Sequence, residues 1–278
     1  MSRVAIVTDS TAYLPDDCAD VRVVPLRVHL GSRTAVDGVD VTPADVVTAL
    51  RAKVAVSTSR PSPAEFAAAY RSALDEGADH VVSIHLAAAL SGTWESAVLA
   101  SQDFGYGVVR VVDSRGTAAG LGFAVRAAAR SAAAGASAAE VQQAATSVVD
   151  RTRTLFYVDT LEYLRRGGRI GTAAALFATS LSVKPLLQMV EGQIVALEKV
   201  RTPTRALARL VALTVEAAGR DQVDLAVHHL AAEARANTVA DQLRSELPSI
   251  GELSVAELGP VLGAHLGPGV IGTILVRH

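Results

Sequence analysis

Three short stretches of the chain group side-chain hydroxyls: Thr8-Asp9-Ser10, Ser57-Thr58-Ser59-Arg60-Pro61-Ser62 and Leu90-Ser91-Gly92-Thr93. Each lies near the end of a probable strand. Hydroxyls and free backbone N–H groups at helix starts, beyond the carboxyl ends of parallel strands, suit a carboxylate or phosphate. Gly92 would let the backbone approach such an anion closely. Helix capping uses the same residue types, and for any one turn it is the commoner explanation. Three such turns in one chain shift that balance somewhat toward a ligand. A fourth segment, Gly259 to Gly269, sets four glycines and two prolines around His265. A histidine held in such a loop could donate a hydrogen bond to an anion, although a lone histidine is more often structural. A fifth, Arg165-Arg166-Gly167-Gly168-Arg169-Ile170, reads as a helix end closed by a left-handed glycine cap. Its arginines either complement the helix dipole or meet a phosphate or a partner.

Other chemistry lacks its signature. There is no G-x-S-x-G elbow, no phosphate-binding G-x-x-x-x-G-K-[ST] loop and no H-E-x-x-H. Gly120-Leu121-Gly122 lacks the full dinucleotide spacing. His228 and His229 are adjacent on a probable strand, so they point to opposite faces and cannot readily share a metal. No metal is expected. The single cysteine, Cys18, forms no intrachain disulfide.

The elements that would position these residues follow from periodicity. Arg3 to Val7 reads as a strand, and so does Val23 to Val28, with Pro25 pushing it toward a sheet edge. Thr42-Pro43 opens a helix. Ser62-Pro63-Ala64-Glu65 and Ser137-Ala138-Ala139-Glu140 are capping boxes. The helix after Ser62 carries Phe66, Tyr70 and Leu74 at four-residue spacing. Strands are expected at His80 to Leu86 and Val108 to Val112, with helices after each. The first half therefore alternates strand and helix, which favours a parallel sheet covered by helices. In the second half, Leu186 to Val190 and Ile194 to Leu197 flank Glu191-Gly192-Gln193 as a hairpin, so a mixed or antiparallel sheet is expected there. The division falls at 1–153 and 154–278.

Composition bounds the rest. The chain has 278 residues, 26 Lys+Arg against 28 Asp+Glu, and a net charge of −2. That balance shows no general basic footprint for nucleic acid. Half the residues are hydrophobic, only 4% are aromatic, and alanine accounts for 51 of them. Such a chain is globular rather than disordered. The N-terminal apolar run is too short for a secretory signal, and none elsewhere reaches the roughly 20 residues of a membrane helix. A cytoplasmic location is expected.

Taken in order, the motifs resemble the DegV family. Val4-Ala5-Ile6-Val7-Thr8-Asp9-Ser10-Thr11 is similar to its opening motif, Ser57 to Ser62 to its TSQPS turn, and Leu90-Ser91-Gly92-Thr93-Trp94 to its LSGT-aromatic turn. The most specific match is Asp159-Thr160-Leu161-Glu162-Tyr163-Leu164-Arg165-Arg166-Gly167-Gly168-Arg169-Ile170. Val183-Lys184-Pro185, Lys199-Val200-Arg201-Thr202 and Gly263-Ala264-His265-Leu266-Gly267-Pro268-Gly269 complete it. The resemblance implies a two-domain α/β fold with one long-chain fatty acid between the domains and no other cofactor. It implies that Thr58, Ser91 and His265 hold the carboxylate, with Thr93 and the Gly92 backbone nearby. It further implies that an ATP-dependent fatty acid kinase subunit phosphorylates that carboxylate, near Arg169 and Arg201, in lipid metabolism and phospholipid synthesis. The carrier itself would be non-catalytic and touch a membrane surface transiently at most.

The chain departs from the family pattern at several places. Arg60 stands where Gln is usual, Ala87 and Ala88 replace small polar residues, and Gly171 follows Ile170 where Ser is common. Thr172 to Ser182 is alanine-rich and includes Phe177. Two other readings stay open on the residues alone. One is a small acyl or phosphoryl hydrolase or transferase using Ser91 and His265. The other is a binding module for another small anionic or lipid-like ligand.

Overall fold

The computed structural model describes residues 3–14, 18, 20–171 and 184–278. The chain divides into two units, one formed by Met1–Arg27 with Ser59–Asp150 and the other by Val28–Thr58 with Arg151–His278. This differs from the contiguous division at residue 153. The excursion Val28–Thr58 belongs with the C-terminal unit, and its packing there explains why.

In the first unit, β1 (Val4–Asp9), β2 (Arg22–Val24), β6 (His80–His85) and β7 (Val109–Asp113) form a sheet in the order β2-β1-β6-β7. Every pairing in it is parallel. The helices are α2 (Pro63–Asp75), α3 (Thr93–Ser101), α4 (Ala119–Ala133) and α5 (Ala138–Arg151). The capping box at Ser62 is formed in full, with the Ser62 hydroxyl accepting from the Glu65 N–H and Glu65 reaching back to the Ser62 N–H. Helix α2 turns Phe66 and Tyr70 into a core with Val7, Val81 and Ala97. Leu74, on the same stripe, is only partly buried. Each large side chain removed from water there contributes about 1.5–3 kcal/mol.

The strand expected over Val23 to Val28 is two strands. Arg22–Val24 is the edge strand β2, and Arg27–Leu30 is β3, which pairs in a different sheet. Pro25 lies between them. Its missing N–H and fixed φ end the first ladder, and the chain leaves the parallel sheet there.

The second unit has a six-stranded mixed sheet. Its strands are β8 (Thr152–Tyr157), β9 (Lys184–Val190), β10 (Gln193–Val200), β11 (Val223–His229), β12 (Ile250–Glu257) and β13 (Ile271–Arg277), in the order β10-β9-β8-β13-β11-β12. All neighbours are antiparallel except β11 and β12. The β9–β10 turn is two residues long, with φ of 48° at Glu191 and 76° at Gly192, the type I′ geometry that matches strand twist. Helices α6 (Glu162–Arg166), α7 (Pro203–Ala218), α8 (Glu233–Glu246) and α9 (Pro260–Leu266) belong to this unit. Leu210, Leu225, Leu243 and Ile271 are buried together in its core.

The excursion supplies β4 (Arg33–Val36), α1 (Pro43–Arg51) and β5 (Val56–Ser59), and a small sheet of order β4-β3-β5. Helix α1 packs on α9. Among the described residues, no helix is long and apolar enough to cross a membrane.

Candidate functional site

The segment around His265, expected as a loop, is the short helix α9. Pro260 occupies its first turn, where the missing N–H costs nothing. Gly267, at φ 75°, ends it in a conformation that strains any other residue. Gly259, its N-cap, has no side chain to accept an orphan N–H. Asp37 takes that role from the excursion, its Oδ1 accepting from the Val261 N–H at 3.3 Å. Where Asp37 reaches one end of α9, Thr58 from the same excursion reaches the other. The Thr58 Oγ1 and His265 Nε2 atoms are 2.7 Å apart, although 207 residues separate them in sequence. Thr58 lies within strand β5 rather than in a turn, as sequence alone suggested.

A cavity of about 150 Å³ opens at this pair, lined in part by Thr58, Tyr163, Arg166, Gly167, Arg169 and His265. Water takes roughly 30 Å³ per molecule, so the space holds on the order of five water-sized groups. That suits a head group and is far too small for a long acyl chain. Burial, with the Arg169 charge adding to it, lowers the His265 pKa from 6.5 to about 4. The ring is therefore neutral near pH 7 and acts through hydrogen bonding rather than as a cation. Positive charge at the cavity comes from Arg166 and Arg169. The Arg169 Nη1 donates to the Gly167 carbonyl at 2.5 Å, which bends its side chain back over the end of α6. Arg201 is exposed, next to the Thr202 cap of α7.

The Ser91-Gly92-Thr93 turn opens α3 in the first unit. Thr93 is fully buried and Ser91 half-buried. Their hydroxyl oxygens lie 2.9 Å apart, and Ser91 Oγ also accepts from the Thr93 N–H at 3.3 Å. The space beside Gly92 is already used. A Cβ there would lie 1.7 Å from Arg60 Nη1, which donates to the Gly92 carbonyl at 3.2 Å and to Glu95 at 2.9 Å. The glycine thus admits the chain's own guanidinium. Nothing in the sequence pointed to that pairing, and Arg60 registered only as a departure from the family pattern.

The first hydroxyl turn is consumed internally. Asp9 Oδ1 accepts from the N–H and hydroxyl of Thr11, at 3.0 and 2.6 Å. Asp9 Oδ2 accepts from the Leu86 N–H at 2.9 Å and lies 3.1 Å from His85 Nδ1. His85 Nε2 is 2.6 Å from Ser83 Oγ, which accepts from the Tyr70 hydroxyl at 2.9 Å. This acid–histidine–serine order is that of a hydrolytic triad. However, Asp9, Ser83, His85 and Tyr70 are all completely buried. Burial also pushes the Tyr70 phenol pKa up, against the Ser83 hydrogen bond. The chain of hydrogen bonds is a sealed brace across β1 and β6. Among the described residues, no group of three His, Cys, Asp or Glu side chains could hold a metal ion.

The fold and these sites define an α/β protein with a parallel sheet connected through helices, a mixed sheet and a small cavity beside a neutral histidine. A model described as an uncharacterised protein of the DegV family matches residues 3–278, and the chain belongs to that family. A DegV domain-containing protein of Streptomyces coelicolor is 49% identical over 279 residues, covering 99% of each chain. Among solved structures, a DegV family protein from Thermus thermophilus, described by its fatty acid binding, is 36% identical with a TM-score of 0.94, covering 99% of this chain and 100% of that one. DegV from Bacillus subtilis, described as a fatty acid binding protein, is 30% identical with a TM-score of 0.90 and full coverage of both chains.

Proposed function

We propose that this protein is a non-catalytic carrier that buries one long-chain fatty acid and holds it by its carboxylate. The observation that carries the reading is the Thr58–His265 pair at a head-group-sized cavity beside Arg166 and Arg169. A hydroxyl oriented by a neutral imidazole, with guanidinium groups nearby, suits a carboxylate. The fatty acid binding described for the relatives from Thermus thermophilus and Bacillus subtilis supports the choice of ligand. Ser91, Gly92 and Thr93 are the further carboxylate ligands in this proposal. The acyl chain supplies affinity of about 0.8 kcal/mol per buried CH₂. The alanine-rich stretch 172–182 with Phe177, singled out in the sequence, lies outside the described residues.

The carboxylate is then presented to an ATP-dependent kinase partner. Its oxygen attacks the γ-phosphorus of ATP, ADP leaves, and an acyl phosphate forms for lipid synthesis in the cytoplasm. Arg169 and Arg201 face the partner in this scheme. Hydrolysis by a Ser91–His265 pair is not favoured. A catalytic base needs an orienting group on its second ring nitrogen, and His265 Nδ1 is buried without a hydrogen-bond partner.

Native mass spectrometry of the purified protein tests the proposal. One fatty acid per chain is expected, or stoichiometric uptake of added palmitate after delipidation. A lipid-free protein that takes up no palmitate would exclude the carrier function. With the kinase partner and ATP added, the acyl phosphate is expected as its hydroxamate.

A further inference from the structure

The two glycines that end α6 differ in kind. Gly168, at φ 72°, supplies the left-handed cap, and a Cβ on it would meet nothing within 4 Å. Gly167 has φ −76° and ψ −10°, which any residue adopts. What it cannot accept is the atom itself. A Cβ there would lie 2.3 Å from His265 Nδ1 and 3.0 Å from His265 Cε1. The bare α-carbon of Gly167 is where the imidazole rests.

That seating has a chemical consequence. His265 Nδ1 is buried and has no hydrogen-bond partner, while Nε2 meets Thr58 Oγ1. A neutral ring carries one proton. On Nδ1 it would make a buried N–H with no acceptor, the costlier kind of orphan. The nearby Arg169 charge opposes any further proton on the ring. On Nε2 the proton is donated to Thr58 Oγ1, and the buried Nδ1 keeps its lone pair against the Gly167 α-carbon. Thr58 then accepts from the histidine, and its own hydroxyl proton is left for an anion.

We propose that Gly167 is a positioning residue of the head-group site, seating His265 in the Nε2–H tautomer so that Thr58 becomes the donor to the ligand carboxylate. The assignment of the anion as a fatty acid carboxylate rests on the functional reading above. The seating and the tautomer do not.

The test compares Gly167→Ala, His265→Ala, the double variant, Thr58→Val and Thr58→Ser. Palmitate binding is measured by calorimetry, and the His265 tautomer by ¹⁵N shifts of the histidine side chains. Wild type is expected to show protonated Nε2 and bare Nδ1. Gly167→Ala should weaken palmitate about 10- to 100-fold, as expected for losing a hydrogen bond to a charged group, and should shift the His265 signals. The double variant should bind no worse than His265→Ala and unfold later than Gly167→Ala, because the clash is gone. Thr58→Ser should bind as wild type and Thr58→Val should not.

Wild-type affinity in Gly167→Ala with unchanged ring signals would overturn the proposal. So would multiplicative losses in the double variant, or a wild-type ring protonated on Nδ1. If the wild type takes up no palmitate, the carrier reading fails, and the ring signals and unfolding of the same variants still decide the seating.

Discussion

Asp9→Asn isolates the sealed brace from any catalytic role, because it keeps the side chain's shape and changes only its donors. The carboxylate accepts four hydrogen bonds in the structure, two from Thr11 on Oδ1 and two from Leu86 and His85 on Oδ2. An amide offers one oxygen and two N–H donors. With its NH₂ toward Thr11, the Thr11 hydroxyl can rotate to accept, but the Thr11 N–H is stranded. With its NH₂ toward His85, the ring can change tautomer to accept, but the Leu86 N–H is stranded. Either way one buried backbone donor loses its partner, at about 1–3 kcal/mol, and the surviving bonds lose their charge assistance. The expected destabilisation is about 2–4 kcal/mol, a large part of the 5–15 kcal/mol typical of a folded protein. Urea unfolding of wild type and variant at pH 7 measures it. Palmitate affinity of the folded variant should be unchanged, since Asp9 and Ser83 are sealed from solvent. A destabilisation below about 1 kcal/mol would refute the donor count. Acyl-ester turnover lost in a fully stable variant would reinstate the triad as chemistry.

Further outcomes are expected. Burial lowers the pKa of both His228 and His265 from 6.5 to about 4, so the unfolded chain binds protons first as pH falls. Their stabilisation is complete above pH 6.5 and is lost between pH 6.5 and 4, on the order of 3 kcal/mol each. Urea midpoints over that range should fall less steeply in His265→Gln, and parallel slopes would contradict the assignment. The Arg27 hydrogen bond lowers the Glu65 pKa from 4.5 to about 2, so its contribution is lost only below pH 4.5, after most of the histidine loss. Gly122→Ala places a Cβ 2.0 Å from the Tyr13 carbonyl oxygen, a backbone atom. A cost of about 1–3 kcal/mol follows, and a melting temperature within a degree of wild type would show that the contact relaxes freely. Gly92→Ala should destabilise the wild-type background and be nearly neutral with Arg60→Ala, because the Cβ meets the Arg60 guanidinium. Equal effects in both backgrounds would place the obstruction elsewhere. Arg60→Ala alone should change stability by less than about 1 kcal/mol, as its ion pair with Glu95 is exposed.

What the sequence by itself determined was local. The capping boxes at Ser62 and Ser137 hold in the structure, as does the hairpin, although its loop is two residues rather than the expected Glu191-Gly192-Gln193, and the stripe of Phe66, Tyr70 and Leu74 is buried except for Leu74. Their hydrogen bonds and periodicities span only a few residues, so neighbouring residue types suffice to specify them. The alternation of strands and helices likewise carried the parallel sheet, and the hairpin at 186–197 the mixed one. Tertiary structure alone decided which residues meet. Pro25 marked a sheet edge in the sequence, yet only the fold shows the chain leaving one sheet for another there, carrying 28–58 into the second unit. The glycine-rich run at 259–269 suggested a loop, because helix propensity does not count Asp37 capping it from more than 200 residues away. Gly92 and Gly167 read as a close approach to a ligand and a helix cap. The space beside each belongs to a side chain of the protein itself, Arg60 and His265. Steric vacancy is a property of what packs against a residue, and no spacing along the chain encodes it.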